Sequence, residues 1–371
     1  MKKTSLFLSL AVVLAFNSLS FATVLLTDNF SYTNGNLITG GDVVGATGWG
    51  DWTVHNTTAG YERIQVNNGT IVLNQLAGKE DVSKLFGGVT MQNGDTFFAA
   101  FDVNVTDLAS NGTGDVYFAH FIKTGSTTFV SRVGVTASTS GGDYTFALFT
   151  GPTTGLGGFN YGTKYRVVTS YDFSSGVSKL WVNPANYSDT SIQITSSTGI
   201  AVSAFAFRQN GNIATSSGQT IDNLIVGTTF AEVVPEPATL LLPNGGEKWV
   251  AGTKHTIEWD TSDPNIITHV SIKYSADNGQ TWYDVVICEN TGSYEWDPVP
   301  AVDSNQCLIR ISDSVNPNHY DKSDDVFTIF QCSNPITGDL NDDCYVNFLD
   351  FAVIADHWLN CGNPFDPSCQ P

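Results

Sequence analysis

Hydrophobic and polar residues alternate in short runs over most of the chain, and clusters of Gly, Asn, Ser and Thr separate the runs. Runs at 64–66, 70–73, 96–105, 116–122, 129–135, 144–148, 165–172, 178–182, 203–208 and 221–226 read as β-strands, because β-branched and aromatic residues at period two suit a pleated, half-buried surface. No segment up to about residue 231 sustains a helical period. Many short strands with regular turn signals predict a sandwich or barrel, and a jelly-roll sandwich fits about two hundred residues. A second series, from Ile257 and Trp259 through 270–274, 294–296 and 307–313 to 323–329, predicts a smaller antiparallel sandwich in which Asp277-Asn278-Gly279 makes a hairpin turn. The period changes only near the C-terminus. There Phe348, Phe351, Ala352, Ala355, Trp358 and Leu359 recur at helical spacing after Asn347, a capping residue, and Cys361-Gly362 stops the helix. The predicted fold is therefore mainly all-β with a short α-helical tail.

Just before that helix, Asp339, Asn341, Asp343, Asn347 and Asp350 occupy positions 1, 3, 5, 9 and 12 of a twelve-residue segment. Calcium takes six to eight oxygen ligands, so a tight loop presents side-chain oxygens at these positions and a backbone carbonyl at position 7, here Tyr345. An acidic surface turn is the alternative. The stretch Gly338 to Leu359 resembles one repeat of a dockerin, the module that joins secreted proteins to a cohesin partner. That resemblance implies calcium as a cofactor and a cohesin-like or surface partner. The chain departs from the family pattern in having one loop instead of two, Cys344 in place of the position-6 glycine, and Phe348-Leu349 at positions 10 and 11.

Met1-Lys2-Lys3, the apolar run Leu6–Phe16 and Ser20-Phe21-Ala22 have the order of a signal peptide cleaved after Ala22, and the run is too short to span a bilayer. The chain is expected to be secreted, extracellular or surface-associated, with no membrane span once the leader is removed. All six cysteines, Cys288, Cys307, Cys332, Cys344, Cys361 and Cys369, lie in the last quarter, which in an exported chain reads as disulfides. A helix of about 20 Å separates Cys344 from Cys361, leaving Cys369 or Cys332 as the partner of Cys344. Cys288–Cys307 is expected as a separate bridge in the second sandwich. The CxxC spacing that a zinc site would favour is absent from the sequence.

A formal charge of −20, from 36 acidic and 16 basic residues, excludes the basic footprint that nucleic acid or an anionic membrane needs. In the first sandwich Gly48-Trp49-Gly50-Asp51-Trp52 sets two indoles on a Gly-rich turn, and 157–162 carries Phe159 and Tyr161 on another. Trp49, Trp52 and Tyr161 are candidates for stacking on sugar C–H faces; plugging the end of the sandwich is the alternative. Glycoside hydrolysis asks for paired carboxylates about 5–9.5 Å apart. Glu62 and Glu80 are the only glutamates up to residue 231 and share no strand run, so a catalytic pair is not legible. His55 and His120 read as lone core or surface histidines, Trp181 as core and Arg208-Gln209 as a buried polar pair at a strand end.

The segments Phe30–Leu37, Tyr165–Val168 with Leu180–Pro184, and Phe207–Gln209 with Ile221–Leu224 resemble the concanavalin A-like, or laminin-G-like, jelly rolls of secreted bacterial proteins. That family includes carbohydrate or matrix binders and glycoside hydrolases. Pro235-Glu236-Pro237 and the leucines after it resemble the opening of a PEP-CTERM sorting signal, lacking its membrane helix and arginines. Pro243–Gly252 and Ile257-Glu258-Trp259 resemble the Ig-like domain of a Ser/Thr-rich cell-wall family, which implies a spacer. The expected organisation is a leader at 1–22, the jelly roll at 23–231, a linker at 232–239, the Ig-like sandwich at 240–331 and the calcium-loop module at 332–371. Two functions compete: a non-catalytic secreted protein that binds polysaccharide or matrix, and a glycoside hydrolase carried by the same tail. A purely structural surface protein is the third alternative.

Overall fold

The computed structural model describes residues 24–358, except 59–61, 76–78, 107–115, 124, 139–140, 150–153, 210–217, 235, 262–263, 265–266, 333–335 and 342–343. The expected leader, Asp343, Cys361 and Cys369 lie outside the described residues. The chain is mainly β, with several antiparallel sheets in sandwich-like folds and two short helices among the described residues.

The first sandwich contains β1 (Val24–Asp28), β2 (Gly35–Asn36), β3 (Thr53–Thr57), β4 (Gln65–Asn67), β5 (Thr70–Asn74), β6 (Glu80–Leu85), β7 (Thr96–Val105) and β8 (Val116–Ile122). It continues with β9 (Phe129–Ala137), β10 (Tyr144–Leu148), β11 (Thr154–Phe159), β12 (Lys164–Asp172), β13 (Val177–Val182), β14 (Ser191–Thr195), β15 (Ala204–Arg208) and β16 (Gly218–Gly227). A nine-stranded sheet runs β14-β13-β12-β7-β16-β5-β4-β2, with β1 also beside β16, and a seven-stranded sheet runs β11-β10-β9-β8-β15-β6-β3. Their inner faces share one core. Phe101 of β7 meets Phe118 of β8 at 6.2 Å and Phe205 and Phe207 of β15 at 5.9 and 5.8 Å.

Strand β7 is apolar almost throughout because both its faces are covered. Phe97, Ala99, Phe101, Val103 and Val105 enter the inter-sheet core, while Phe98 and Ala100 pack with Val168, Trp181 and Ile225 under α1 (Phe230–Val233). Trp181 is thus core, as expected from its strand.

The second sandwich comprises β17 (Thr239–Leu242), β18 (Lys248–Val250), β19 (His255–Asp260), β20 (His269–Ser275), β21 (Tyr283–Glu289), β22 (Ser293–Trp296), β23 (Ser304–Asp313), β24 (Tyr320–Lys322) and β25 (Phe327–Phe330). One sheet runs β17-β19-β22 and the other β18-β25-β23-β20-β21, with β24 also beside β23. Its core is separate from the first and holds Trp249, Ile257, Trp259, Trp296, Ile309 and Phe327. Asn278 and Gly279 take φ of 56° and 82° in the β20–β21 connection, the left-handed turn that the Asp-Asn-Gly run predicts.

The expected Cys288–Cys307 bridge does not form, and both thiols are free. Cys288 lies on β21 opposite Val270, Cys307 lies on β23, and β20 runs between those two strands. Two strand spacings are about 9.6 Å, beyond the roughly 7 Å that a disulfide spans between Cα atoms. Cys307 is fully buried and Cys288 packs against the same core, so both serve as small apolar residues. Cys332 bonds Cys344 across a Cα separation of 5.5 Å, one of the two partners that the sequence leaves open for Cys344.

Asn316 Nδ2 donates to the Pro184 carbonyl at 2.7 Å and Asn318 Nδ2 to that of Asn183 at 3.3 Å, joining the two sandwiches. Near this joint, burial and then the Asp102 charge push the Asp313 carboxyl up to about 6. Its raised folded pKa means that ionisation is disfavoured in the fold: the cost is present above about pH 6 and gone below about pH 4. Asp313→Asn keeps the oxygen that accepts from Val315 N. The variant is expected to gain about 1–2 kcal/mol at pH 7.5 and nothing at pH 4, which thermal unfolding at both pH values checks.

Candidate functional site

The strand β15 reads Ala204-Phe205-Ala206-Phe207-Arg208. Phe205 and Phe207 enter the core, so Ala204, Ala206 and Arg208 share the outer face of the seven-stranded sheet. Register aligns three rows across that face. Ala204 lies between Leu85 and Ile122, Ala206 between Ser83 and His120, and Arg208 beside Asp81. Two methyl side chains in the middle strand leave the centre of the face low.

At the first row the face opens into a groove of about 710 Å³. Val44 and Gly45 form one wall and Gly125, Ser126 and Thr127 the other, while Thr53, His55, Ser83, Leu85 and Ile122 line the floor and sides. The lining therefore combines hydroxyls that both donate and accept, an imidazole, exposed backbone at glycines and an aliphatic wall. The volume falls within the usual range for small-ligand pockets.

In the middle of the face the His55 and His120 rings stand 5.9 Å apart, edge to face, with Phe129 4.4 Å from His120. None of their four ring nitrogens has a hydrogen-bond partner among the described residues. Burial, aided by Arg208, lowers the His55 pKa to about 4. Burial lowers that of His120 well below the ordinary value, with His55, Arg208 and Arg132 acting in the same direction. Both imidazoles are accordingly neutral at pH 7.

The far end is charged. Asp81 Oδ2 lies 3.8 Å from Arg208 Nε and accepts from Asn56 Nδ2 at 3.1 Å, while Oδ1 accepts from Gln209 N at 3.2 Å. Burial outweighs these partners and raises the Asp81 carboxyl to about 6. Arg208 lies 4.2 Å from the Tyr117 ring and Arg132 lies 5.2 Å from it. Gln209 itself is buried, its amide donating to Glu62 O and accepting from Asn74 N, in keeping with its expected structural role.

None of the three aromatic candidates lines the groove. Trp52 is 0% exposed, packs on Phe30 and Phe207, and donates from Nε1 to Asp28 Oδ2 at 2.8 Å, so it has no face to offer a ligand. Trp49 is 39% exposed and stacked on Tyr32 at 6.1 Å. Tyr161 is half-buried and stacked on Tyr144 at 5.6 Å. The groove was legible only in the alternation of small and aromatic residues along β15; the contributions of His55 and Ser83 depend on long-range pairing.

In the tail, α2 (Phe348–Asp356) starts at the Asn347 cap, whose Oδ1 accepts from Leu349 N at 2.7 Å. Asp350 Oδ2 accepts from Asn347 N at 2.7 Å, Asp350 Oδ1 from Leu340 N at 2.7 Å, and Asp339 Oδ2 from Cys344 N at 2.9 Å. The Asn347 and Leu340 amides hold the Asp350 carboxyl below its ordinary pKa. Cys344 adopts φ of 70°, the left-handed turn that position 6 of a calcium loop requires and glycine usually supplies. Asp339, Asn341, Tyr345, Asn347 and Asp350 carry oxygens of the kind a hard cation takes, while no group of three or more His, Cys, Asp or Glu side chains gathers at one point among the described residues. Along α2, Phe348, Phe351 and Trp358 are 87%, 55% and 69% exposed, so the helix does not bury its apolar residues against either sandwich.

No family model matches the chain, and no curated protein does. Among solved structures, it is similar to domain 4 of AbnA, a GH43 extracellular arabinanase from Geobacillus stearothermophilus in complex with arabinotriose. Identity is 15% and the TM-score 0.33, over 57% of this chain and 97% of that one. The Emp47p carbohydrate recognition domain matches at 11% identity and TM-score 0.31, over 53% of this chain and 96% of that one. The binding domain of botulinum neurotoxin serotype D matches at 9% and 0.31, over 78% and 69%. At these scores the likeness assigns neither ligand nor activity. No helix among the described residues is long and apolar enough to cross a membrane.

Proposed function

We propose that this chain is an exported glycan-binding protein whose outer-sheet groove takes a polysaccharide segment and whose tail binds calcium and attaches the protein to a partner. The groove lining carries the reading. A sugar ring offers hydroxyl edges and apolar C–H faces, and Thr53, Ser83, Ser126 and Thr127 stand among Val44, Leu85 and Ile122 to meet both. Export follows from the leader-like segment at residues 1–22.

Ser83 faces the groove beside Ala206, so Ser83→Trp fills it with an indole without entering the core. Retention on a glycan array is expected to fall by at least about tenfold while the unfolding midpoint holds. Equal retention by wild type and variant would remove the groove from the account. Reducing ends released in the same incubations would instead assign hydrolysis, the reading that the raised Asp81 carboxyl on this face favours.

For the tail, Asp339, Asn341, Asp343, Asn347 and Asp350 would supply side-chain oxygens and Tyr345 a carbonyl. Calcium would neutralise the clustered carboxylates and, at a hundredfold excess over its dissociation constant, add about 2.7 kcal/mol to tail stability. Asp339→Ala removes one ligand and the acceptor for Cys344 N. Calorimetry is expected to show at least tenfold weaker calcium binding, and circular dichroism a loss of helix. Unchanged binding and helix content would refute the loop assignment. The partner is a surface or cohesin-like protein that covers the exposed apolar side of α2, including Phe348, Phe351 and Trp358.

A further inference from the structure

The charged end of the glycan-binding face is unusual for this chain. The protein has a formal charge of −20 and five arginines, yet two of those arginines, Arg132 and Arg208, converge on the ring of Tyr117. Arg208 is compensated by Asp81. Arg132 has no acidic partner among the described residues, and its buried Nε has no hydrogen-bond acceptor. A buried guanidinium N–H without an acceptor is costly and uncommon in folded proteins. The Tyr117 ring, 5.2 Å from the guanidinium carbon, positions the group, and the terminal Nη donors are the ones an anionic oxygen would meet.

We propose that this face selects an acidic polysaccharide, with the carboxylate or sulfate of one residue held by Arg132 beside Tyr117 while a neighbouring residue occupies the groove. The inference rests on the glycan-binding reading and adds the ligand class to it. Groove and arginines belong to one sheet: β15 runs from Ala204 at the groove to Arg208 and β6 from Leu85 to Asp81, while Arg132 comes from β9, one strand beyond β8, and meets Arg208 at Tyr117. Five residues of strand extend about 13 Å between the first and last Cα atoms, room for two or three sugar rings. The neutral histidines between the two ends add no positive charge, so among the described residues Arg132 is the arginine of this face without an acidic partner.

The test uses the full-length protein and matched polymers. Polygalacturonate and its methyl-esterified form share a backbone and differ in carboxylate charge; dextran sulfate and dextran make the same comparison for sulfate. Affinity electrophoresis is expected to show at least about tenfold tighter binding to the charged member of one pair, lost in Arg132→Gln, partly kept in Arg132→Lys and weakened by salt. The favoured pair identifies carboxylate or sulfate. Equal binding to charged and uncharged members, reduced by Ser83→Trp, would overturn the acidic-ligand inference and leave the groove reading standing. Tight charged binding that Arg132→Gln does not alter would also overturn it. Binding lost in Arg132→Gln and untouched by Ser83→Trp would uphold the anion site and remove the groove; no binding to any of the four would overturn both.

Discussion

Trp52→Ala is expected to destabilise the first sandwich by about 3–5 kcal/mol, the range for deleting a fully buried aromatic side chain. The indole fills the end of the core between Phe30 and Phe207, at ring distances of 5.9 and 5.6 Å. Its loss also disturbs a buried anion. Asp28 Oδ2 accepts from Trp52 Nε1 at 2.8 Å, Lys84 Nζ at 2.8 Å and the Tyr32 hydroxyl at 2.7 Å, while Oδ1 accepts from Phe30 N at 2.9 Å. Trp52→Phe keeps most of the apolar volume and loses one donor, so it should cost less. Trp49→Ala, at a ring 39% exposed, should cost under about 1 kcal/mol. Denaturant titrations of the three variants check the order. A Trp52→Ala protein as stable as wild type would return this ring to the list of ligand contacts.

Arg166→Met is expected to cost about 3–5 kcal/mol at pH 7.5, because it strips the cation from a buried pair. Arg166 Nη1 donates to Asp102 Oδ1 at 3.0 Å and to Asn223 O at 2.8 Å, and Nη2 donates to Val233 O at 3.4 Å. The group thus ties β12 to β7, β16 and α1. Asp222 and Asp313 already have their carboxyls pushed up to about 6, each by burial first and the Asp102 charge second, with Arg166 opposing the rise. Removing Arg166 raises both further. The variant's deficit is therefore greatest above pH 6 and shrinks towards pH 4, as protons replace the missing cation. Unfolding free energies at pH 4.5 and 7.5 test this. A deficit that does not depend on pH would show that the arginine acts through packing and backbone hydrogen bonds instead.

The longer apolar strands were legible because their period and their turn residues agree. β7, β8 and β10 occur as predicted, and β9, β12, β13 and β15 shift by one or two residues at an end. The missed strands have physical reasons. β6 reads Glu80-Asp81-Val82-Ser83-Lys84-Leu85 and resembles a loop until Arg63 meets Glu80 and Arg208 lies beside Asp81 across the fold. β11 is rich in glycine at a sheet edge, and β3 carries a bulge that breaks the alternation between Val54 and Asn56.

The cysteine pairing was hidden in the sequence for a related reason. A buried cysteine packs as a small hydrophobe, and Cys288 and Cys307 lie on strands separated by β20. The candidate site was the least visible feature, because His55, Ser83, Ile122 and Ala206 come from four strands and meet only through register. By contrast, the acidic spacing from Asp339 to Asp350 is local and readable in the sequence, and Cys344 within it takes a left-handed φ of 70°.

The proposed function stands or falls on whether the outer face of the seven-stranded sheet holds a glycan. The most direct measurement is a glycan-array comparison of the full-length wild type and Ser83→Trp, each with matched unfolding midpoints, reading bound sugar and released reducing ends together. Sugar is expected to be retained by the wild type and lost in the variant, with no reducing ends released by either; retention that survives a filled groove, or no retention by the wild type, would rule out glycan binding on this face.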